Sequence, residues 1–410
     1  MQSEHNIITS AFGPFSDASE VQSCQAPELQ AKGQHVQKQC LQEHSDLNLP
    51  TGDSTTKSPF ASLAFFQALE SSGSTSADTG WLPRHIQIAN QQNQYPFIPG
   101  YLKHHSYGEY VFDWNIASAV NQAGIPYYPK WVMQLPFTPI ELPFSDYKIT
   151  VDDIHQINVQ LKPESPVTNQ FLYIPESWQS AFEKSGALLR SSIFFRWHNN
   201  GFNELADYLT QLTQKRAKEI RRERRKACEQ NTQFYRYSGE TITDEIIKRF
   251  YPFYRHTYLK RSGHSGYLNE AFFLDWLTRE KQSALIVIAQ RDEQDIAAAL
   301  FLFDSSTLYG RYWGCRDDDK DRGYGHLHFE CCYYQGMEFC IEQNIRFFNP
   351  GVQGEHKVVR GFEPYLARSA YFYHHPQLHQ QVGDYISDEN HQTQHYLKYL
   401  QQKLPFKPTA

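Results

Sequence analysis

At 410 residues, 40% of them apolar, the chain exceeds the roughly 250–300 residues that one hydrophobic core usually serves, so two domains are expected. A formal net charge of −6 excludes a global field that holds nucleic acid, leaving only a local patch for such contact. No apolar run reaches the ~18–20 residues that span a bilayer, and Met1-Gln-Ser-Glu-His5 lacks the features of an export signal, so the cytoplasm is the expected compartment.

Residues 16–57, rich in Gln, Ser, Asp, His and Thr, show no apolar period and predict a disordered insertion within a polar N-terminal segment, 1–57. Folded sequence resumes at Ser58-Pro59, read as an N-cap with proline at the first helical position, and Phe60, Leu63, Ala64, Phe66 and Leu69 form the apolar face. Strands are predicted at Trp81–Ile88, Phe97–Lys103 and Tyr127–Leu135, the last after a helix near 111–123. Helix 152–163, strand Phe171–Ile174, helix 176–185 and strand Leu188–His198 complete a first domain, 58–199.

The second domain, 200–390, opens on one long helix carrying Phe202, Leu205, Leu209, Leu212 and Ile220 at helical spacing. Strand Gln233–Tyr237, helices 241–257 and 268–279, and strands Ala284–Ala289, Ile296–Phe303 and Leu308–Trp313 follow. Helix 326–343 and strand Ile345–Phe348 come last, and 391–410 reads as a polar tail in which His395–Leu404 has the residues of a continuing helix. Each half orders its parts alike: an Ala-Phe-Phe helix (Ala64-Phe-Phe66; Ala271-Phe-Phe273), strands, a helix start bearing His and Glu, then an aromatic pair close before proline (Tyr127-Tyr128; Phe347-Phe348). This predicts a duplicated α/β unit. The seven cysteines are odd in number and form no CxxC pair, which points to free buried thiols rather than a disulfide framework or a zinc site.

Five stretches carry chemistry. Lys103-His-His-Ser-Tyr-Gly-Glu-Tyr-Val-Phe-Asp-Trp114 joins a strand to a helix, with Gly108 at the turn. On a helix Glu109 and Asp113 share one face, where a carboxylate beside a histidine accepts a proton from an attacking amine. The bland alternative is a helix N-terminus whose carboxylates answer the dipole. Glu109 is the catalytic candidate, and His105, Tyr107 and Asp113 the substrate-binding ones. In Leu308-Tyr-Gly-Arg-Tyr-Trp-Gly314, Arg311, Tyr312 and Trp313 are binding candidates. In His326-Leu-His-Phe-Glu330, extended backbone aligns His326, His328 and Glu330, whereas a helix aligns His326 with Glu330. His328 and Glu330 are catalytic candidates there, and no metal site is expected.

Lys320-Asp-Arg-Gly-Tyr-Gly325 is a loose form of the (Arg/Gln)xxGxG turn with which acetyltransferases cradle a pyrophosphate, making Lys320, Gly323 and Gly325 candidates for coenzyme A. Gly351-Val-Gln-Gly-Glu-His-Lys357, with Arg360 beyond, follows the C-terminal end of a predicted strand, where ligands of open α/β sheets gather. His356 is a catalytic candidate, and Gln353, Glu355, Lys357 and Arg360 suit an anionic donor or a carboxylated acceptor. Lys215–Lys226 holds eight basic residues in twelve. It is either a solvated helix face, with Glu219 and Glu223 pairing inside it, or an RNA or phosphate contact through Arg221, Arg222, Arg224 and Arg225.

Together, Ser58-Pro-Phe60, Ala68-Leu-Glu-Ser-Ser-Gly73, His105–Trp114, Tyr127-Tyr-Pro-Lys130, Pro136-Phe-Thr-Pro139, Lys218–Arg225, Leu308–Gly314, Leu327-His-Phe-Glu330 and Gln353–Lys357 resemble the FemAB-like family of peptidoglycan biosynthesis or recognition, within the GNAT-type acyltransferase superfamily. The resemblance runs from about 58 to 385. It implies an α/β fold of two tandem GNAT-like domains, each a mixed, mostly antiparallel sheet flanked by helices, in a bacterial transferase. Fem aminoacyltransferases move an amino acid from aminoacyl-tRNA to a peptidoglycan precursor. The chain departs from the pattern at Phe194-Phe-Arg-Trp197, where Gln-Phe-His-Trp is expected, after Pro139, and in the extra Lys320–Gly325 loop. The expected function is acyl or aminoacyl transfer to an amine on a small molecule or peptide. Acyl-CoA and aminoacyl-tRNA both stay open as donor, and tRNA as partner. No GxSxG elbow is present, so no covalent enzyme intermediate is expected. The rivals are a non-catalytic peptidoglycan- or peptide-binding module and an RNA-contacting protein.

Overall fold

Ser62, rather than Ser58, caps the first α-helix: its hydroxyl accepts from Phe65 N at 3.2 Å, and Pro59–Ala61 forms a 3-10 turn ahead of it. The computed structural model describes residues 58–88, 97–144, 147–229, 231–316, 324–352 and 354–408. The proposed insertion at 16–57, Gln353, Lys320 and Gly323 lie outside these.

The first half runs α1 (Leu63–Ser71), β1 (Trp81–Pro83), β2 (Ile86–Gln87), β3 (Phe97–Ile98), β4 (Tyr101–Lys103), α2 (Trp114–Gln122), β5 (Lys130–Met133), α3 (Val151–Gln160), β6 (Thr168–Ile174), α4 (Glu176–Lys184) and β7 (Leu188–His198). The second runs α5 (Leu205–Gln211), α6 (Gln214–Ala227), β8 (Thr232–Ser238), α7 (Asp244–Ser262), α8 (Glu270–Arg279), β9 (Ala284–Arg291), β10 (Gln294–Phe303), β11 (Thr307–Cys315), α9 (Tyr324–Phe329), a π-helical turn (Glu330–Tyr334), α10 (Gln335–Glu342), β12 (Phe347–Asn349), a 3-10 helix (Glu355–Arg360), β13 (Glu363–Tyr373) and α11 (Pro376–Gln402).

One sheet of 11 strands crosses both halves in the order β1-β4-β5-β6-β13-β7-β12-β11-β10-β9-β8. Pairing is antiparallel except at β5–β6 and β11–β12, each joined by a helical crossover. Alternation in the β9–β10 hairpin sends Ile286, Ile288, Ala298 and Leu300 into a core shared with α1, α7 and α8, and Leu285, Val287, Ala297 and Ala299 into a second core under α5, α6 and α10. A third core joins α2 and α11 to β6, β7 and β13.

Four expectations are corrected. The long helix at the start of the second half is two helices, because Leu212 takes extended backbone and bridges to Phe406 while Thr213 N donates to Pro405 O at 2.8 Å. The C-terminal region holds a strand and a helix where no element was expected before 391, and the helix runs on to Gln402, through most of the His395–Leu404 stretch expected to continue one. Strand β13 inserts between β6 and β7, and α11 buries Leu378, Val382 and Ile386 and clamps Arg190 to Glu389 (2.5 and 2.7 Å). The third correction is that the helix expected near 111 begins at Trp114, because Tyr110 (φ 62°) and Phe112 (φ 55°) stand in the left-handed region. The repeated order of parts also maps differently: α2 lies between antiparallel β4 and β5, whereas the second half's His- and Glu-bearing helix lies between parallel β11 and β12. The topological match to the latter is β5–α3–β6.

Candidate functional site

Lys130 opens β5 amid Trp131, Val132 and Met133, where a lysine gains no contact with water and must be paired. Its Nζ donates to Ser106 Oγ (2.8 Å), Glu109 Oε2 (2.7 Å) and Asp113 Oδ2 (2.6 Å). Tyr127 OH donates to Asp113 Oδ2 at 2.7 Å, and Lys103 Nζ, 3.3 Å over the Trp81 ring, stands 3.6 Å from Glu109 Oε1. All four charged side chains are at most 1% exposed. Burial works to raise the Asp113 carboxyl, but Lys130 and its hydrogen bonds prevail and hold it at about 2; burial raises Glu109 and pushes Lys103 well below the usual lysine value. Glu109 and Asp113 are thus held in ion pairs inside the fold, and Asp113 does not cap α2. The two carboxylates converge through a strained loop, with Gln134 Nε2 and Tyr173 OH both donating to Glu109 O (3.0 and 3.1 Å). His105 is a loop pin: its Nε2 meets Thr79 O at 2.9 Å and its Nδ1 accepts from Tyr107 N. What this network displays outward is aromatic, namely exposed Phe112 and Trp114, with Tyr107 packed on Trp114 at 5.1 Å.

Strand β11 carries a bulge at Arg311: Leu300 pairs with Tyr312 but Phe301 with Gly310, leaving Arg311 extra. Simple alternation would put Arg311 and Trp313 on one face. Instead Arg311 and Tyr312 lie together, the guanidinium 5.3 Å from the Tyr312 ring and 6.0 Å from Phe60, with Arg311 Nη2 donating to Phe137 O in the first half at 2.7 Å. Trp313 faces the opposite core and packs on His328 at 5.4 Å. Strand β12 stops at Asn349, whereas its neighbour β11 runs on to Cys315 and its other neighbour β7 pairs with it only at Trp197 and His198. Beyond Asn349 no strand among the described residues bridges β11 and β7.

The second-half candidates gather at this opening. Segment 324–329 is helical, so Glu330 and His328 point apart. Glu330, 1% exposed, takes Arg224 Nη2 at 3.0 Å and Gln335 Nε2 at 2.8 Å, and Arg224 reaches on to Glu338 at 2.6 Å. This is an anchor between α6 and the π-helical turn, so Glu330 is no free base and Arg224 no free phosphate contact. Arg221, Arg222 and Arg225 are exposed on α6. Arg360 is likewise committed: it donates to Glu223 Oε1 (2.6 Å), Tyr334 OH (3.0 Å) and His356 O (2.7 Å) and lies 3.4 Å over Phe329. Glu355 sits outside, bonded to Tyr396 and, at 3.2 Å, to Lys403.

His328, His356 and Lys357 remain together. His356 Nε2 shares a 2.7 Å hydrogen bond with Tyr333 OH, and its ring is 5.8 Å from that of His328. Although His356 is exposed as a residue, its ring is packed against Phe329, Tyr333 and the Gly354 backbone. Burial, then neighbouring cations, lower His328 to about 3 and His356 to about 4, so both are neutral near pH 7. Lys357 is 3% exposed, and its Nζ lies 5.6 Å from the Phe195 ring with no hydrogen-bond or ion-pair partner among the described residues. Burial brings it down to about 7. Cys331 and Cys332 beside it have thiols pushed well above the usual value, again by burial. Across the opening, Arg196 pairs with Glu141 at 3.2 Å and stacks on Phe347 and Tyr365. Lys103, Lys130, Arg196, Glu141 and Tyr333 were missed as site residues; a lysine heading an apolar strand was the one local signal. Gly325 lies in the first turn of α9. Among the described residues no group of three or more His, Cys, Asp or Glu is placed to hold a metal ion, and no helix is long and apolar enough to cross a membrane.

A mixed, mostly antiparallel sheet flanked by helices, with a parallel helical crossover in each half, is the α/β class expected from the sequence. The chain belongs to the FemAB-like family, whose model, described as peptidoglycan biosynthesis/recognition, matches residues 41–408. Similar solved structures include FemX (11% identity, 85% of this chain and 99% of that one, TM-score 0.48). Two others are the C-terminal domain of a putative lysylphosphatidylglycerol synthetase from Agrobacterium fabrum (11%, 79% and 90%, 0.47) and L-PGS from Bacillus licheniformis (12%, 82% and 99%, 0.46). No curated protein matches the chain.

Proposed function

We propose that this protein transfers an acyl or aminoacyl group directly to an amine on a peptidoglycan precursor or related peptide, at the opening beyond β12 where halves 58–199 and 200–390 meet. The observation that carries the reading is Lys357: a buried lysine in the 3-10 helix that follows β12, whose Nζ has no hydrogen-bond or ion-pair partner among the described residues and whose proton affinity lies near neutrality. Such an amine is a base in the pH range where a transferase works. The acceptor nitrogen attacks the thioester or ester carbonyl, the new C–N bond forms, and the acceptor's proton passes to Lys357. The C–S or C–O bond then breaks and the proton goes to the leaving thiolate or alkoxide. His356, ordered by Tyr333, and His328 line the approach as neutral hydrogen-bonding groups. The high thiol pKa of Cys331 and Cys332 supports transfer without a covalent enzyme intermediate. Arg311, donating to Phe137 O, ties the two halves together.

The exposed cations of α6 (Arg221, Arg222, Arg225) stand on the helix packed over α9 and suit a phosphate-rich donor, acyl-CoA or aminoacyl-tRNA alike. The test is turnover with each donor and an amine-bearing peptidoglycan precursor. The expected result is a rate rising with pH through an apparent pKa near 7 that Lys357→Met abolishes while donor binding persists. A saturable donor-induced stabilisation (about 2.7 kcal/mol at a hundredfold excess over Kd) with no turnover under any donor would instead make the protein a binding module.

A further inference from the structure

Two segments far apart in the chain meet where Tyr110 OH and Tyr258 OH share a 3.0 Å hydrogen bond. From His104 to Ile140 the only acidic side chains are Glu109 and Asp113, both buried against Lys130. From Ile246 to Asn269 there is no Asp or Glu, while Arg255, Lys260 and Arg261 stand exposed on α7. Large apolar side chains border the same contact in open solvent: Phe112 (53% exposed) and Trp114 (42%) on one side, Leu259 (42%) on the other. Arg255 and Leu259, four apart, share one face of α7. Arg261 acts electrostatically on His328, so this patch borders the opening beyond β12.

The loop that presents the aromatic pair is held outward. Tyr110 and Phe112 take left-handed backbone (φ 62° and 55°), which residues with a side chain disfavour. The Tyr110–Tyr258 bond and the Asp113–Lys130 pair (2.6 Å) fix the loop on both sides of Phe112. Turning Phe112 outward against this preference buries little of its ring, so it adds little to folding and suits a face that meets a partner. Arg and Lys beside Phe, Trp and Leu, with no exposed carboxylate in either segment, complement a layer that is anionic outside and apolar within. We propose that this patch docks the protein on an anionic phospholipid surface, with Phe112, Trp114 and Leu259 at the boundary of headgroups and acyl chains and Arg255, Lys260 and Arg261 on the lipid phosphates. The attachment is peripheral, because no helix among the described residues is long and apolar enough to cross a membrane.

The test is sedimentation of the full chain with vesicles of equal parts phosphatidylglycerol and phosphatidylcholine, and with vesicles of phosphatidylcholine alone. Binding should favour the anionic vesicles and weaken as salt rises. Each cation near such a surface strengthens attachment about fivefold, so changing Arg255, Lys260 and Arg261 to Gln should weaken it at least about tenfold. Insertion is read separately, on the unaltered chain, by quenching of tryptophan fluorescence with lipids brominated on their acyl chains. Of the seven tryptophans five are buried and Trp313 is half-buried, so the quenching should come from exposed Trp114 and vanish in Trp114→Phe. The proposal is overturned if the anionic vesicles do not carry the protein down, or if quenching persists in Trp114→Phe. It is overturned equally if the triple change leaves binding intact, as it would were Arg221, Arg222 and Arg225 of α6 the contact.

Discussion

Replacing Lys357 by Met should make the protein more stable and less active, and the gain should fade as pH rises. Burial lowers the ammonium from its ordinary 10.5 to about 7. Between these values the unfolded chain holds a proton that the folded chain does not, so folding of the wild type is penalised by the full amount below about pH 7 and not at all above about 10.5. At about 1.4 kcal/mol per pKa unit the ceiling is about 5 kcal/mol. Relaxation around the site and water penetration lower what is realised, so a gain of about 2–4 kcal/mol is expected at pH 6 and about 1 kcal/mol or less at pH 10. Met fills a volume close to that of the lysine stem against Phe195 and adds no polar group, which keeps the packing contribution small. The assay is urea unfolding of both proteins at pH 6, 8 and 10. An equal difference at all three pH values, or a destabilised variant, refutes the buried unpaired ammonium and with it the base assigned to the transfer reaction.

Asp113→Asn should cost about 3–5 kcal/mol at pH 7, because it leaves Lys130 buried with half its compensation. Since the wild-type carboxyl is held at about 2, below its ordinary 3.8, its contribution is whole above pH 3.8 and declines as pH falls towards 2; the variant's unfolding curves should lose that acid slope. Glu330→Gln should lower stability by about 1–3 kcal/mol through the Arg224 bridge yet keep transfer activity, and a loss of turnover in a folded variant would restore Glu330 as a catalytic group. Gly314→Ala should destabilise by about 3 kcal/mol or more, since its Cβ would sit 1.9 Å from the Phe253 carbonyl oxygen, where backbone must move; thermal unfolding measures this. Neutralising Arg221, Arg222 and Arg225 to Gln should weaken the phosphate-rich donor and flatten the salt dependence of its binding, leaving stability within about 0.5 kcal/mol because these side chains are exposed.

Local chemistry in the sequence was enough for most elements. Apolar periodicity located the strands of the β9–β10–β11 meander and helices α7 and α8, and the turn at Gly108 (φ 82°) was legible as a glycine demand. The gathering of His356 and Lys357 at the end of β12 was legible too, because the C-terminal ends of strands are where an open sheet leaves room. What the tertiary structure alone decided involves partners far apart in the chain. Strand β13 owes its existence to β6 and β7, up to about two hundred residues earlier, and nothing local marks Glu363–Tyr373 as the strand that completes the first half. The Arg311 bulge put Arg311 and Trp313 on opposite faces, which alternation cannot foresee. In the sequence Glu109 and Glu330 read as acid–base groups and Asp113 as a binding group, whereas in the fold Lys130 stands against Glu109 and Asp113, and Arg224 against Glu330. A titratable residue declares its type in the sequence, but its charge and accessibility follow from desolvation and from the counter-charge that folding brings within about 3 Å.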